Sequence, residues 1–179
     1  VQDSVCLGVK TDGGDYYGNS VLIATGGKSY MATGSTGDGY TFAQSVGHTI
    51  NKLVPSLVPL VVQEKYCSDM MGLSLKNVKL YDGEKCIYSE LGEMLFTHFG
   101  VSGPLVLSAS SHIDKMQPNR YRILIDLKPA LSVEALDKRI QRDFSESINK
   151  DYINSLGKLL PTKMIPVFAK LSKVPFSTK

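Results

Sequence analysis

The chain has 179 residues, a formal net charge of +3 and 42% hydrophobic residues. This length can bury one sizeable core or two small ones, and the composition is that of an ordinary globular protein. No apolar run approaches the roughly 20 residues of a membrane span, and the first residues lack the charged and then apolar layout of a signal peptide. We therefore expect a cytoplasmic protein without a membrane partner.

The metal-binding residue types are scattered along the chain. Cys6, Cys67 and Cys86 lie far apart and show no C-x-x-C spacing, so the sequence predicts neither a disulfide framework nor a zinc knuckle. The three histidines show no metal-ligand spacing either. We expect no metal site, and we expect the cysteines to be buried or incidental thiols.

The first 50 residues predict two strands, a glycine-rich turn and a helix. Apolar residues alternate over residues 5–9, TDGGD over residues 11–15 is a strong turn signal, and residues 16–24 return as a second strand. The end of that strand, VLIA, is a continuous apolar run, which is typical of a strand covered on both faces. A β-hairpin is therefore predicted, and its second strand leads directly into glycines.

The stretch ATGGKSYMATGSTGDGY, residues 24–40, joins this strand to a helix predicted over residues 40–46 with Thr36 or Asp38 as N-cap. Glycines at a strand end let a ligand approach the backbone, and a helix start offers unpaired N–H groups to an anion. The local pattern alone favours a plain glycine-rich turn over a ligand site. The G-K-S triplet lacks the first glycine of a P-loop, and G-x-x-G-x-G reverses the dinucleotide fingerprint, so neither motif is satisfied.

Residues 51–128 have the character of an antiparallel meander. Pro55 and Pro59 in an apolar stretch indicate an edge strand, since proline cannot donate to a ladder. Short alternating runs then predict a small barrel or sandwich. These runs are residues 73–75, 78–80, 86–88 and 94–96, with a turn at Asp82-Gly83.

The stretch FTHFGVSGPLVL, residues 96–107, is the second unusual segment. Ser102 can cap a helix whose first turn holds Gly103 and Pro104. His98 and Ser102 also raise the alternative of a Ser-His hydrolase, but the segment misses the last glycine of G-x-S-x-G and has no identifiable third member. His98 can equally be a strand-end histidine bonded to backbone.

The last third of the chain predicts a strand over residues 121–127 and a helical subdomain. Ser132 caps the first helix, and two shorter helices follow over residues 152–160 and 163–171. From Lys128 onward the chain contains ten Lys/Arg and five Asp/Glu, which gives a net charge of +5. The basic helices could dock a protein or nucleic acid as a non-catalytic interaction module. The sequence does not favour nucleic acid, because the basic residues are not interleaved with aromatics.

Taken in order, these motifs resemble those of one known family. ATGGKSYMATGSTGDGY, GHTI with LVPSLVPL, GEMLFTHFGVSGPLVLSASSHI, and finally LLPTKM are similar to the BaiN-like (YhiN) flavoproteins, which are NAD(P)/FAD-dependent oxidoreductases. The resemblance covers nearly the whole chain. Met31 stands where proline is usual, a departure that affects a turn more than the chemistry.

The resemblance implies an α+β chain in three parts. Residues 1–50 would belong to a Rossmann-like FAD-binding domain, residues 51–128 to a β-barrel-like insert and residues 129–179 to a helical insert. The family's G-x-G-x-x-G element would precede this region and a second flavin-contacting segment would follow it. We therefore expect an internal fragment, whose partners include the missing N- and C-terminal parts of its own FAD domain.

The resemblance also implies a function and a site. FAD would take a hydride from NAD(P)H and pass it to an unsaturated, rather apolar small molecule, while the fragment alone would be inactive and bind FAD weakly or not at all. The segment around residues 36–39 would face the flavin ring, and the loop after residue 96 would supply catalytic helpers. The expected cofactor-binding residues are Ala24, Thr25, Gly26, Gly27, Thr36, Gly37, Asp38 and Gly39. The expected catalytic residues are Thr97, His98 and Ser102.

Overall fold

The computed structural model describes residues 1–3, 5–82, 85–113 and 115–178. The chain divides into two compact units, Val1–Val54 and Pro55–Lys179. Among the described residues, the buried apolar side chains all lie between Leu60 and Ala169. The second unit therefore holds the hydrophobic core, and the first is held mainly by turns and hydrogen bonds.

The first unit contains a hairpin and one helix. Strand β1 pairs antiparallel with β2, with Gly8 opposite Tyr17 and Thr11 opposite Gly14. This confirms the predicted hairpin, although its strands are shorter than expected. The elements are β1 (Gly8–Thr11), β2 (Gly14–Tyr17), a 3-10 turn (Met31–Thr33) and α1 (Asp38–Ser45).

The apolar run at residues 21–24 does not form the predicted covered strand. Among the described residues it pairs with no neighbouring strand, and Leu22 is 90% exposed. The prediction of a strand that continues to residue 24 was wrong. An apolar run forms a strand only if a neighbouring strand accepts and donates its backbone hydrogen bonds. Backbone groups that have no such partner stay in contact with water.

The second unit is built on one antiparallel sheet. Its five strands lie in the order β3-β6-β5-β4-β7, so the strand that follows Pro59 is at an edge, as predicted. This architecture confirms the α+β class. No ladder joins β3 to β7 among the described residues, and closure into a barrel stays a prediction. The strands are β3 (Leu60–Val61), β4 (Ser74–Asp82), β5 (Lys85–Phe96), β6 (Gly100–Ser102) and β7 (Ile123–Asp126).

The predicted meander of four short strands is in fact two long ones. The pairing of β4 with β5 shifts register at three places along the ladder. Two of the shifts add one residue to one strand, which inverts the inside-outside alternation, and the middle shift adds two residues to β5. A continuous strand therefore looks interrupted in the sequence. The predicted turn at Asp82-Gly83 falls at Gly83, which lies outside the described residues.

Helix α3 (Pro104–Ser110) starts directly on the sheet. Its N-cap is Gly103, with φ 94°, and not the predicted Ser102. A β-carbon at Gly103 would lie 3.0 Å from the carbonyl oxygen of Glu93 and from the amide nitrogen of Leu95. Because β5 passes so close and the φ is positive, the cap position is restricted to glycine.

Among the remaining helices, the one that contains Cys67 and the one that contains Val167 contribute side chains to the core cluster of the sheet. As predicted, Ser132 caps α4, since its hydroxyl accepts the Ala135 amide at 3.2 Å. Met164 and Val167 belong to the same core cluster as the sheet residues. The helices are α2 (Tyr66–Asp69), α4 (Val133–Ser145), α5 (Tyr152–Ser155), a 3-10 turn (Leu156–Lys158) and α6 (Ile165–Ser172). Within the described part, no helix combines the length and apolar character needed to cross a bilayer.

Replacing Met94 with alanine tests the core. Met94 is fully buried in β5, so Met94→Ala should lower the free energy of unfolding by about 2–5 kcal/mol in urea denaturation. Met71→Ala is the matched control, because Met71 is 52% exposed and its loss should change stability by less than about 0.5 kcal/mol. Equal effects would contradict this description of the core.

Thiol reactivity tests the burial of Cys67. Cys67 is buried, whereas Cys6 and Cys86 are exposed. Burial raises the pKa of the Cys67 thiol, and the nearby Glu64 carboxylate raises it further, which lowers the reactive thiolate fraction at neutral pH. An aromatic disulfide reagent should therefore modify two thiols rapidly and the third only after urea is added. Rapid reaction of all three thiols in the native protein would show that Cys67 is accessible.

Candidate functional site

The two glycine segments predicted to bind a cofactor lie in contact within the first unit. A β-carbon at Gly39 would lie 2.8 Å from Oγ1 of Thr25 and 3.2 Å from Cγ2 of Ile23. A β-carbon at Gly26 would lie 3.2 Å from Oγ of Ser35. The structure therefore brings residues 24–27 against residues 35–39, and glycine allows the two backbones to approach.

The start of α1 is shaped by backbone conformation and not by a side-chain cap. Its N-cap is Gly37, which is buried and has φ 92°, and no side chain caps the helix. The prediction of Thr36 or Asp38 as N-cap was wrong, because a left-handed conformation at this position favours glycine. The first N–H groups of α1 are consequently not covered by a capping side chain, which suits the approach of an anionic or polar ligand group.

Lys28 is a residue of this region that the sequence reasoning did not select. A β-carbon at Gly37 would lie 3.4 Å from Cδ of Lys28, so the aliphatic stem of the lysine packs beside the start of α1. The lysine is exposed. Its position adds a positive charge near a helix N-terminus. In the sequence Lys28 is part of the G-K-S triplet, which lacks the first glycine of a P-loop.

Thr97 and His98, two of the predicted catalytic residues, lie in the tight turn between β5 and β6. The Gly100 amide donates to Oγ1 of Thr97 at 3.1 Å, and the Thr97 amide donates to the Gly100 carbonyl at 2.9 Å. His98 is exposed at the tip and packs edge to face on Phe99, with ring centroids 4.9 Å apart. Thr97 therefore has a structural role in the turn, and its catalytic role stays a prediction.

Ser102 lies in β6 and is not bonded to His98. It pairs with Leu95 across the ladder, whereas His98 belongs to the turn. Neither a Ser102–His98 hydrogen bond nor a carboxylate orienting His98 is found in the described part of the chain. The hydrolase alternative has no geometric support here, and the roles of both residues in hydride transfer are untested predictions.

A third group of polar side chains surrounds Tyr88 on β5. The Tyr88 hydroxyl bonds to the Glu90 carboxylate, and its ring lies 5.1 Å from that of His112. The hydrogen bond to Glu90 raises the pKa of Tyr88, while a hydrogen bond with Ser108 partly opposes that rise. The phenol therefore stays protonated at neutral pH. Sequence reasoning could not select this group because its members come from separate elements.

Fold and site together describe an α+β protein with an antiparallel sheet, packed helices and a glycine-lined helix start suited to a polar ligand. The family model "HI0933-like protein barrel and H2TH domain" matches residues 54–179. The chain belongs to the HI0933-like family. The resemblance to BaiN-like flavoproteins drawn from the motifs is confirmed at this level.

Three curated relatives extend the comparison. The chain is 28% identical over 169 residues to a "3-dehydro-bile acid delta(4,6)-reductase" of Clostridium scindens, covering 93% of the chain and 41% of the relative. It is 32% identical over 151 residues to a "Ribosomal RNA dihydrouridine synthase" of Haemophilus influenzae, covering 83% and 35%. The protein with that name in Escherichia coli is 27% identical over 158 residues, covering 87% and 37%. The chain thus spans about two fifths of the length of these relatives.

A double-mutant cycle tests the contact between Gly39 and Thr25. Alanine in place of an exposed helix glycine normally stabilises a protein by about 0.4–1 kcal/mol. At Gly39 the added β-carbon would meet Thr25 Oγ1, so Gly39→Ala should instead lower the free energy of unfolding. In a Thr25→Ala background the same change should be less destabilising, because only the 3.2 Å approach to Cγ2 of Ile23 remains, with a coupling of at least about 0.5 kcal/mol in urea denaturation. Additive effects would mean that the two segments do not touch.

Proposed function

We propose that the protein containing this chain is a flavin-dependent oxidoreductase that passes a hydride from NAD(P)H through FAD to an unsaturated acceptor. Membership of the HI0933-like family and similarity to a relative named as a reductase support the reaction class. Because the chain spans about two fifths of its relatives' length, the activity belongs to a longer protein. The 179-residue chain alone is proposed to be inactive and to bind FAD weakly or not at all.

The observation that carries this proposal is the close contact of the two glycine segments. Gly26 packs against the Ser35 side chain and Gly39 against the side chains of Thr25 and Ile23, at points where a β-carbon would come within 2.8–3.2 Å of the neighbouring atom. The space beside Gly26 and Gly39 is taken by side chains of the opposite segment, whereas the first N–H groups of α1 carry no capping side chain and suit a polar ligand group. These residues therefore fit one edge of an FAD site.

Each part of this region has a proposed task. Residues 24–27 would lie beside the dinucleotide part of FAD, and residues 36–39 would face its flavin ring. When bound, FAD supplies the hydride chemistry, and the protein supplies orientation and electrostatics. The N-terminus of α1 and the ammonium group of Lys28 together present positive potential, which would stabilise negative charge on a bound cofactor. Thr97, His98 and Ser102 remain the proposed catalytic helpers.

The acceptor is proposed from chemistry that the relatives have in common. A reductase of a 3-dehydro-bile acid and a synthase of dihydrouridine in ribosomal RNA both add hydrogen to an unsaturated ring. The proposed acceptor is therefore a conjugated ring, carried either by an apolar small molecule or by an RNA nucleotide. This widens the small-molecule expectation taken from the sequence alone.

Charge reversal at Lys28 tests the proposed cofactor site. The complete gene product should keep its yellow flavin absorbance through desalting. Lys28→Glu should weaken FAD binding by about five- to tenfold, because it replaces a positive charge beside the α1 N-terminus with a negative one. Affinity is measured by the quenching of flavin fluorescence during titration.

Lys10→Glu is the matched control, since Lys10 is an exposed β1 residue in the same unit and the change in net charge is identical. It should alter FAD affinity by less than about twofold. Equal weakening by the two variants would reject the site at the start of α1. A complete gene product that retains no flavin would reject the flavoprotein proposal itself.

A further inference from the structure

A shallow depression on the helical part of the second unit combines features that the flavin proposal does not use. Its volume is about 350 Å³, and it lies where α4, the following turn, α5 and the chain end meet. We call it the hydroxyl-lined depression, because four of its eight lining residues carry hydroxyl groups on short side chains. These four are Ser145, Ser147, Ser155 and Thr178, and the others used below are Phe144, Lys150 and Tyr152.

Backbone hydrogen bonds hold the walls of this depression in place. The Lys150 amide donates to the Ser147 carbonyl at 2.8 Å, so the lysine and the serine belong to one tight turn. The Tyr152 amide donates to the Thr178 carbonyl at 2.6 Å. This hydrogen bond joins the segment around Thr178 to the start of α5. The aromatic rings of Phe144 and Tyr152 lie 6.3 Å apart and are tilted by 49°. The backbone hydrogen bonds therefore hold in place the segments that carry the Lys150 ammonium group, the hydroxyl groups and the two aromatic rings.

Ser147 and Thr178 are the two hydroxyl residues of this set whose side chains make no hydrogen bond to another described residue. The hydroxyls of Ser145 and Ser155 donate to the carbonyls of Gln141 and Asp151. Ser147 is only 7% exposed, and among the described residues no protein group bonds its hydroxyl. No fully buried polar side-chain atom without a partner is found in the described part of the chain, and Ser147 is one of the residues that line the depression. A hydroxyl in that position is available to a ligand.

The charge around the depression is strongly positive. Residues 138–173 carry eight Lys/Arg and three Asp/Glu, a net charge of +5. Two of the three carboxylates are paired, since buried Asp143 pairs with Arg139 and Arg142 and Glu146 pairs with Lys158 at 2.6 Å. The third, Asp151, follows Lys150 in the chain and makes no ion pair with another described residue. No carboxylate lines the depression itself. Among the described residues, exposed Lys150 is the only charged one that lines the depression, and the net positive charge of this part of the chain favours a polyanion.

We infer that the hydroxyl-lined depression binds a nucleotide of a single-stranded RNA. Lys150 and the Ser147 hydroxyl contact a phosphate or ribose oxygen, and a base packs against Phe144 and Tyr152. Single-stranded nucleic acids are bound in this way, by cations along the backbone and aromatic side chains against the bases. Side-chain hydroxyls can also bond the 2′-hydroxyl that distinguishes RNA from DNA. As a means of holding the acceptor, this site depends on the function proposed above, but RNA binding itself does not require flavin.

Fluorescence anisotropy with a labelled oligouridylate tests the site on the 179-residue chain without flavin. The affinity should fall with added salt, as expected when phosphates are neutralised. Lys150→Glu should weaken binding roughly tenfold and reduce the salt slope by about one contact. Lys150→Arg should restore most of the affinity. Ser147→Ala, which removes one neutral hydrogen bond, should cost about threefold.

Lys10→Glu again serves as the matched control, because it makes the same change in net charge in the other unit. It should alter RNA affinity by less than about twofold. Far-UV circular dichroism verifies that each variant is folded. Equal weakening by Lys150→Glu and Lys10→Glu would overturn the site, and equal affinity for oligodeoxyuridylate would overturn the choice of RNA. Because flavin is absent from the assay, neither result bears on the flavoprotein proposal.

Discussion

Helix α3 begins directly on the backbone of strand β5, and most of the second unit is arranged around this contact. Gly103 allows the approach, since a β-carbon there would lie 3.0 Å from three backbone atoms of β5. The helix then buries Leu105, Val106 and Ala109 beside Met94. Strands β4 and β6 flank β5, and α6 adds to the same core. Without the glycine, the helix and sheet could not pack at this distance.

Where local chemistry alone decides the structure, the sequence was sufficient. Ser132 caps α4, Pro104 lies in the first turn of its helix, and the strand after Pro59 is at an edge. These outcomes follow from one hydroxyl or one missing N–H group. The N-caps predicted at Thr36 and Ser102 were wrong. The adjacent residues Gly37 and Gly103 are the N-caps and have positive φ, which cannot be predicted from the position of hydroxyl residues. Bulges similarly concealed the length of β4 and β5.

For the candidate sites, too, local features could be predicted from the sequence and contacts between distant residues could not. The glycine segments of the first unit could be selected from the sequence, because glycine next to an apolar run and a helix start is a local signal. Their contact through Thr25 and Ser35, and the place of Lys28 beside Gly37, required coordinates. The hydroxyl-lined depression could not be predicted, since Phe144 and Thr178 are far apart in the chain. Phe144 and Tyr152 lie close to Lys150 in the sequence, but the contact between their rings and the position of Thr178 beside them required coordinates.

The exposed apolar run at residues 21–24 has a practical consequence for work on this chain. Its backbone groups are not part of a ladder among the described residues, and its side chains include Leu22, the most exposed large apolar residue described. An extended apolar segment of this kind is a template for pairing with an identical segment of another molecule. Such pairing would cause self-association at high protein concentration. The molecular mass measured for the isolated chain by sedimentation or light scattering would then reflect association through this segment and not the subunit arrangement of the longer protein.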